Sequence, residues 1–351
     1  MLETAYCESQ SRPDTRSVAK KGGMEAAHTR RRPQAVIAAL VVLSAFVCAP
    51  RVEAQTYPDK PITLIVPFPP GIVDSNARLI AIKASAILGQ PIVVKNVAGA
   101  GQRIGTDALA KAPKDGYTIG AVTNAGVVAG PALGTGIPYD PLKDISYLAM
   151  GWEAHYLITT HPGSGISNLK QLAERARSAP NKLRFGSTGV GTGFHVATEQ
   201  FLRAANIQLQ HIPYKGESPL LADLIGGQVE LAFSSFASRQ MADAGKLVIL
   251  GYTGENRSPL LPNVPTAKEA GIPHASSGWL GFAAPAGIPP AVREKLINAF
   301  SAALRDPELV ATFTKGAMEI RQITGDTFAA RVRRELDELK ELNKDLKITL
   351  E

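Results

Sequence analysis

The residues that could do chemistry in this chain gather in one glycine-rich run, Gly186-Ser187-Thr188-Gly189-Val190-Gly191-Thr192-Gly193-Phe194-His195. Ser187 is a candidate nucleophile and His195, one helical turn past Thr192, a candidate base for it. The G-x-S-x-G context of a nucleophile elbow is missing, and no third partner is evident. The spacing Gly189-x-Gly191-x-Gly193 also differs from the dinucleotide fingerprint, whose third glycine falls one residue later. Ser167-Asn168-Leu169-Lys170 matches S-x-x-K, but neither S-D-N nor K-T-G accompanies it. Ser167 therefore reads as a helix N-cap and Lys170 as a solvated charge. Among the histidines His28, His155, His161, His195, His211 and His274 no pair has i, i+4 spacing, so no metal site is expected.

The same run suits a different chemistry. Glycines let a backbone come close to a ligand, Ser187 and Thr192 add hydroxyls, and a helix follows whose first N–H groups lack partners. A second junction of this kind is Pro61-Ile62-Thr63-Leu64-Ile65-Val66-Pro67-Phe68-Pro69-Pro70-Gly71-Ile72-Val73-Asp74. Here an apolar strand stops in a stiff loop and hands over to a helix, whose N-terminus favours an anion. Asp74 reads as the N-cap of that helix; as a ligand group it would select an amine instead. Phe236 and Trp279 are aromatic candidates for a ligand wall or for the core.

Both loops must be held by strand–helix units. Ala77, Ile80, Ala81, Ala84, Ile87 and Leu88 recur at helical spacing up to Gly89, and the β-branched run from Ile92 to Val94 follows Pro91. Gly99-Ala100-Gly101-Gln102-Arg103-Ile104-Gly105 leads into another helix, and Tyr117 opens the next strand. Residues 144–160 are extended and cross between domains. A second α/β unit runs from the helix after Ser167 to the strand at 247–250, with Ser218 as a cap and Pro219 at the first helical position. Trp279 starts a return strand, Pro289-Pro290 opens a helix, and Phe328, Val332, Leu336, Leu339 and Leu346 form one stripe of a last helix. Alternating strands and helices predict an α/β fold with mainly parallel sheets flanked by helices.

Arg30-Arg31-Arg32, the apolar run 35–49 and Val52-Glu53-Ala54 read as a secretory signal peptide that ends before Gln55, with Met1 and Met24 both open as the start codon. Residues 1–54 carry both cysteines, Cys7 and Cys48, so the exported part has no disulfide or thiolate metal site. Removing 8 basic and 5 acidic residues lowers the net charge from +7 to +4, too mild and scattered for nucleic acid.

Further motifs extend the pattern: Lys111-Ala112-Pro113-Lys114-Asp115-Gly116-Tyr117, Tyr139-Asp140-Pro141, His211-Ile212-Pro213-Tyr214-Lys215-Gly216, Asp223-Leu224-Ile225-Gly226-Gly227-Gln228 and Asn263-Val264-Pro265-Thr266. In this order, over nearly the whole exported chain, they resemble the Bug family, periplasmic solute receptors of tripartite tricarboxylate transporters. The resemblance implies a two-domain periplasmic binding protein of the Venus-flytrap type with hinge strands between domains. Residues 55–157 with 276–351 would form one domain and 158–275 the other. It implies a monomer that binds a small carboxylate between Phe68, Gly71, Ile72, Val73 and Asp74 on one side and Ser187, Gly189, Thr192 and His195 on the other. Asn124 and Phe236 would stand nearby, with no cofactor and no catalysis. Membrane permease subunits would be the partners. The family's Phe-Pro-Pro-Gly-Gly-x-x-Asp is one residue shorter here, and Ile72 and Val73 make the loop apolar, which suggests an aromatic or aliphatic ligand body. An exported serine hydrolase using Ser187 and His195, and a receptor serving a sensor kinase, are the alternatives.

Overall fold

Strands β1 (Ile62–Val66), β2 (Ile92–Asn96), β3 (Thr118–Thr123) and β4 (Ile145–His155) alternate with helices α1 (Ile72–Leu88), α2 (Arg103–Ala110) and α3 (Gly130–Leu133). A π-helical turn, Ala125–Ala129, precedes α3. Beyond β4 follow β5 (Leu157–Thr160), α4 (Leu169–Ser178), β6 (Arg184–Ser187), α5 (Gly193–Ala205), β7 (Gln210–Pro213), α6 (Glu217–Ile225), β8 (Leu231–Ser234), α7 (Arg239–Asp243) and β9 (Val248–Tyr252). The chain then runs through β10 (Ser277–Pro285), α8 (Pro290–Ala303), α9 (Pro307–Lys315) and α10 (Gly325–Leu346). This computed structural model describes residues 57–134 and 136–348; the expected signal peptide lies outside them.

Two mixed sheets result, ordered β2-β1-β3-β10-β4 and β7-β6-β8-β5-β9. Each has a parallel trio, β2-β1-β3 or β7-β6-β8, because a helix separates its consecutive strands. One strand of each sheet, β10 or β5, runs against the trio and pairs on its other side with β4 or β9, since β4 passes into β5 and the chain returns from β9 to β10 at the same end. The sheets are therefore mixed, where alternation alone suggested mainly parallel ones. Leu157 already belongs to the second sheet.

One face of α1, at helical spacing of three and four, meets the first core: Ala77, Ile80, Ala81, Ala84 and Leu88 are buried beside Leu64 and Phe300. Ile87, expected on that face, is half exposed. The stripe of α10 is buried through Phe328, Val332, Leu336 and Leu339, and Phe328 meets Tyr147 and Trp279 edge to face. Full burial of each such side chain stabilises by about 1.5–3 kcal/mol, so the helix is fixed to its own lobe. Trp279 is part of this core, and its indole N–H donates to Glu335.

Three helix starts differ from expectation. Asn168 caps α4 by accepting from the Gln171 amide, while Ser167 donates to the Gln171 side chain. Gly216 precedes α6, which puts Pro219 at the third helical position. Helix α9 was not anticipated; Asp306 caps it and Pro307 opens it.

Candidate functional site

In the parallel register the last residue of β1, Val66, pairs with the last of β2, Asn96. Asn96 thereby reaches the loop that follows β1. Its Nδ2 donates to the Phe68 carbonyl at 2.9 Å and to Asp74 Oδ1 at 2.8 Å. Arg78, one turn along α1, donates to Asp74 Oδ2 and to Asn96 Oδ1. Gly71 is the N-cap, so Asp74 is the third helical residue and not the cap that the sequence suggested. The hydrogen bond from Arg78 lowers the Asp74 pKa, against burial, and Asn96 adds to it. Both oxygens of Asp74 are hydrogen-bonded within the lobe, to Arg78 and Asn96, and Asn96 in turn holds the loop at the Phe68 carbonyl. The start of α1 has no side-chain cap, with Gly71 and Ile72 exposed in front of it. Ile72 is 75% exposed and Phe68 and Val73 are partly buried.

The loop after β6 is tied from within. Ser187 is fully buried. Its Oγ lies 2.7 Å from His211 Nε2, and it bonds both the carbonyl and the amide of Gly189. Thr192 Oγ1 donates to the same Gly189 carbonyl at 2.8 Å. Gly189 and Gly191 have φ of 129° and 72°, conformations that side-chain-bearing residues rarely adopt. His195 accepts the Gly191 amide on Nδ1 at 2.9 Å. Its ring stacks on His211 with centroids 3.9 Å apart. The imidazole paired with Ser187 is thus His211, not His195. His211 stood in the sequence only as the start of the motif His211–Gly216, with nothing to link it to Ser187; the pairing of β7 with β6 brings it there. Burial, then the neighbouring His195, depresses the His211 pKa to about 4. Thr192 caps α5 without a side-chain bond, leaving the first-turn amides free of such a partner.

Between the lobes lies a cavity of about 450 Å³, with Asn124 and Val128 on one wall and Gly193, Val196 and Gln200 on the other. A Cβ on Gly193 would meet the Tyr156 hydroxyl at 2.9 Å and Asn124 Oδ1 at 4.0 Å, so these groups crowd the start of α5. Asn124 and α5 are thus brought together across the lobes. Among the described residues no hydrogen bond or ion pair joins residues 68–74 to 187–192. Phe236 packs beside Leu157, Tyr252 and Leu261, with Arg239 over its ring.

The hinge end of the cavity holds Glu153 between Arg321 and Arg331, the latter at 2.8 Å. Burial opposes the charge on Glu153, and the two guanidiniums overcome it and hold the carboxyl below its ordinary range. Glu153, His155 and Glu319 bring ligand atoms within 4.8 Å of one another, a grouping that could hold a metal ion. Both Glu153 oxygens are already bonded to arginine, so the cluster fits an ion-pair network better.

A sequence profile described as "Tripartite tricarboxylate transporter family receptor" matches residues 76–347. The chain belongs to that family. Protein BugT of Bordetella pertussis is 35% identical over 278 residues, 78% of this chain and 85% of its own. An R. palustris protein solved with adipate superposes with a TM-score of 0.68 at 28% identity, covering 84% of this chain and 99% of that one. MatC from Rhodopseudomonas palustris, with bound malate, gives 0.66 at 27% identity over 82% and 99%. Family membership fits what the two lobes offer, backbone amides at helix starts, and the structural neighbours are periplasmic binding proteins.

Proposed function

We propose that this receptor captures a small organic acid between residues 68–74 and 187–192 and hands it to the membrane permease of a tripartite transporter. The observation that carries the reading is a pair of helix starts, α1 and α5, one in each lobe and both without a side-chain cap. Each is an anion site by its unpaired amides and dipole. Closure about a hinge near residues 157 and 276 would bring both onto carboxylate oxygens and exclude water, which strengthens such bonds. Asp74 is spent on Arg78 and Asn96, so an ammonium group finds no partner in it. The exposed Ile72 favours a ligand with an aliphatic or aromatic body. The dicarboxylates on two structural neighbours, adipate and malate, point to the same class.

Thermal melting against mono- and dicarboxylates, amino acids, a sugar and divalent metals tests this. A carboxylate at 100 times its Kd should add about 2.7 kcal/mol of stability. A shift with the sugar or a metal and with no acid would sink the reading. Export to the periplasm predicts a mature N-terminus at Gln55, read by mass spectrometry, and a monomer on size exclusion. Co-purification with permease subunits, as against a sensor kinase, separates transport from sensing. The hydrolase alternative would have to use a serine that is fully buried.

A further inference from the structure

We propose that His195 and His211 are positioning residues: they orient the ligand-facing amides of the loop after β6 and touch no ligand themselves. This rests on the receptor reading above. His211 Nε2 meets Ser187 Oγ, and Ser187 in turn reaches the Gly189 carbonyl at 3.1 Å. Thr192 donates to that carbonyl from its hydroxyl and its amide. A trans peptide points its C=O and N–H in opposite directions. With the Gly189 carbonyl held inward, the Val190 N–H is turned outward, where the Val190 side chain is also exposed. One peptide further on, the Gly191 N–H is held inward by His195 Nδ1. The two stacked rings therefore fix two successive peptide planes.

The arrangement sets the tautomer. His195 Nδ1 must be a bare acceptor, so the ring's proton sits on Nε2, 3.7 Å from Glu199 Oε1. Among the described residues the titratable groups facing His195 are Glu199 on its own helix and His211 from β7, while β6 presents the uncharged Phe185. His211, with its depressed pKa, stays neutral through the range in which an ordinary imidazole titrates.

The test compares wild type with His195→Asn, whose Oδ1 can replace Nδ1 as acceptor without titrating, and His195→Phe, which keeps a stacking ring and no acceptor. His211→Gln and His211→Phe form the second pair. Amide hydrogen exchange on the ligand-free proteins should find Gly191 protected in wild type and His195→Asn, and about 10-fold faster in His195→Phe, the loss of one hydrogen bond. Kd values for malate and adipate should rise about 10-fold in the two Phe variants and by less than about 3-fold in His195→Asn and His211→Gln. Equal Gly191 exchange in wild type and His195→Phe overturns the proposal. If neither acid binds wild type, the exchange result still decides it, and the failure falls on the receptor reading.

Discussion

Arg78 Nε donates to Asp74 Oδ2 at 2.9 Å, one helical turn apart on α1. Asn96 closes the triangle from the neighbouring strand, bonding both residues. The acid that heads the first jaw is therefore turned into the lobe, and the jaw presents backbone and apolar side chains outward.

Replacing Asp74 by Asn should cost about 1–2 kcal/mol, the lower part of the range for charged hydrogen bonds because Arg78 is partly solvated. Asp74 titrates below its ordinary value in the folded protein, so its contribution is full above the unfolded carboxyl pKa and fades as pH falls through the folded one. Urea unfolding at neutral and acid pH should show the gap between wild type and variant closing on acidification. A variant that gains amino-acid binding would contradict that structural role.

Gly71 sits in extended backbone that any residue adopts, and a Cβ there meets nothing closer than the Pro69 carbonyl at 3.9 Å. Gly71→Asp should fold with a stability within about 1 kcal/mol of wild type, since aspartate is a good N-cap. Its own carboxylate would occupy the α1 amides, so the melting shift given by an added dicarboxylate should disappear. Retention of that shift would place the ligand elsewhere.

Glu153→Gln removes the carboxylate between Arg321 and Arg331, but Arg331 keeps Glu335 at 2.7 Å, so the change should cost about 1.5–3 kcal/mol. A double variant, Glu153→Gln with Arg331→Met, should cost less than the two single changes added together. Chemical denaturation of the four proteins gives the coupling; additive losses would show that the pair does not act as a unit.

His274 is buried with its ring edge toward Phe201 and its Nε2 on Ser276. Burial depresses its pKa to about 4. Above the unfolded histidine pKa neither state takes the proton; below it only the unfolded chain does, down to about pH 4. Stability should fall through this window by about 1.4 kcal/mol per pH unit for this residue. His274→Gln should flatten the slope between about pH 6 and pH 5 by roughly one proton. An unchanged slope would mean that His274 already titrates normally.

The sequence by itself determined the strand–helix alternation, the two glycine- and proline-rich junctions and the order of family motifs. These are local properties: apolar spacing and backbone freedom act within a few residues, so α5 and α10 were legible within a residue or two, and α1 except for its first turn. Tertiary structure decided the partners. Asn96 reaches Asp74 only because β2 lies in parallel register beside β1, and His211 reaches Ser187 only because β7 pairs with β6. Glu153 meets Arg331 only because α10 packs across β4. A side chain's hydrogen-bond partner depends on which distant strand or helix is adjacent, and no local pattern carries that information. For the same reason Asp74 read as a cap and His195 as a cleft-edge residue, while the fold ties Asp74 to Arg78 and Asn96 and His195 to the Gly191 amide.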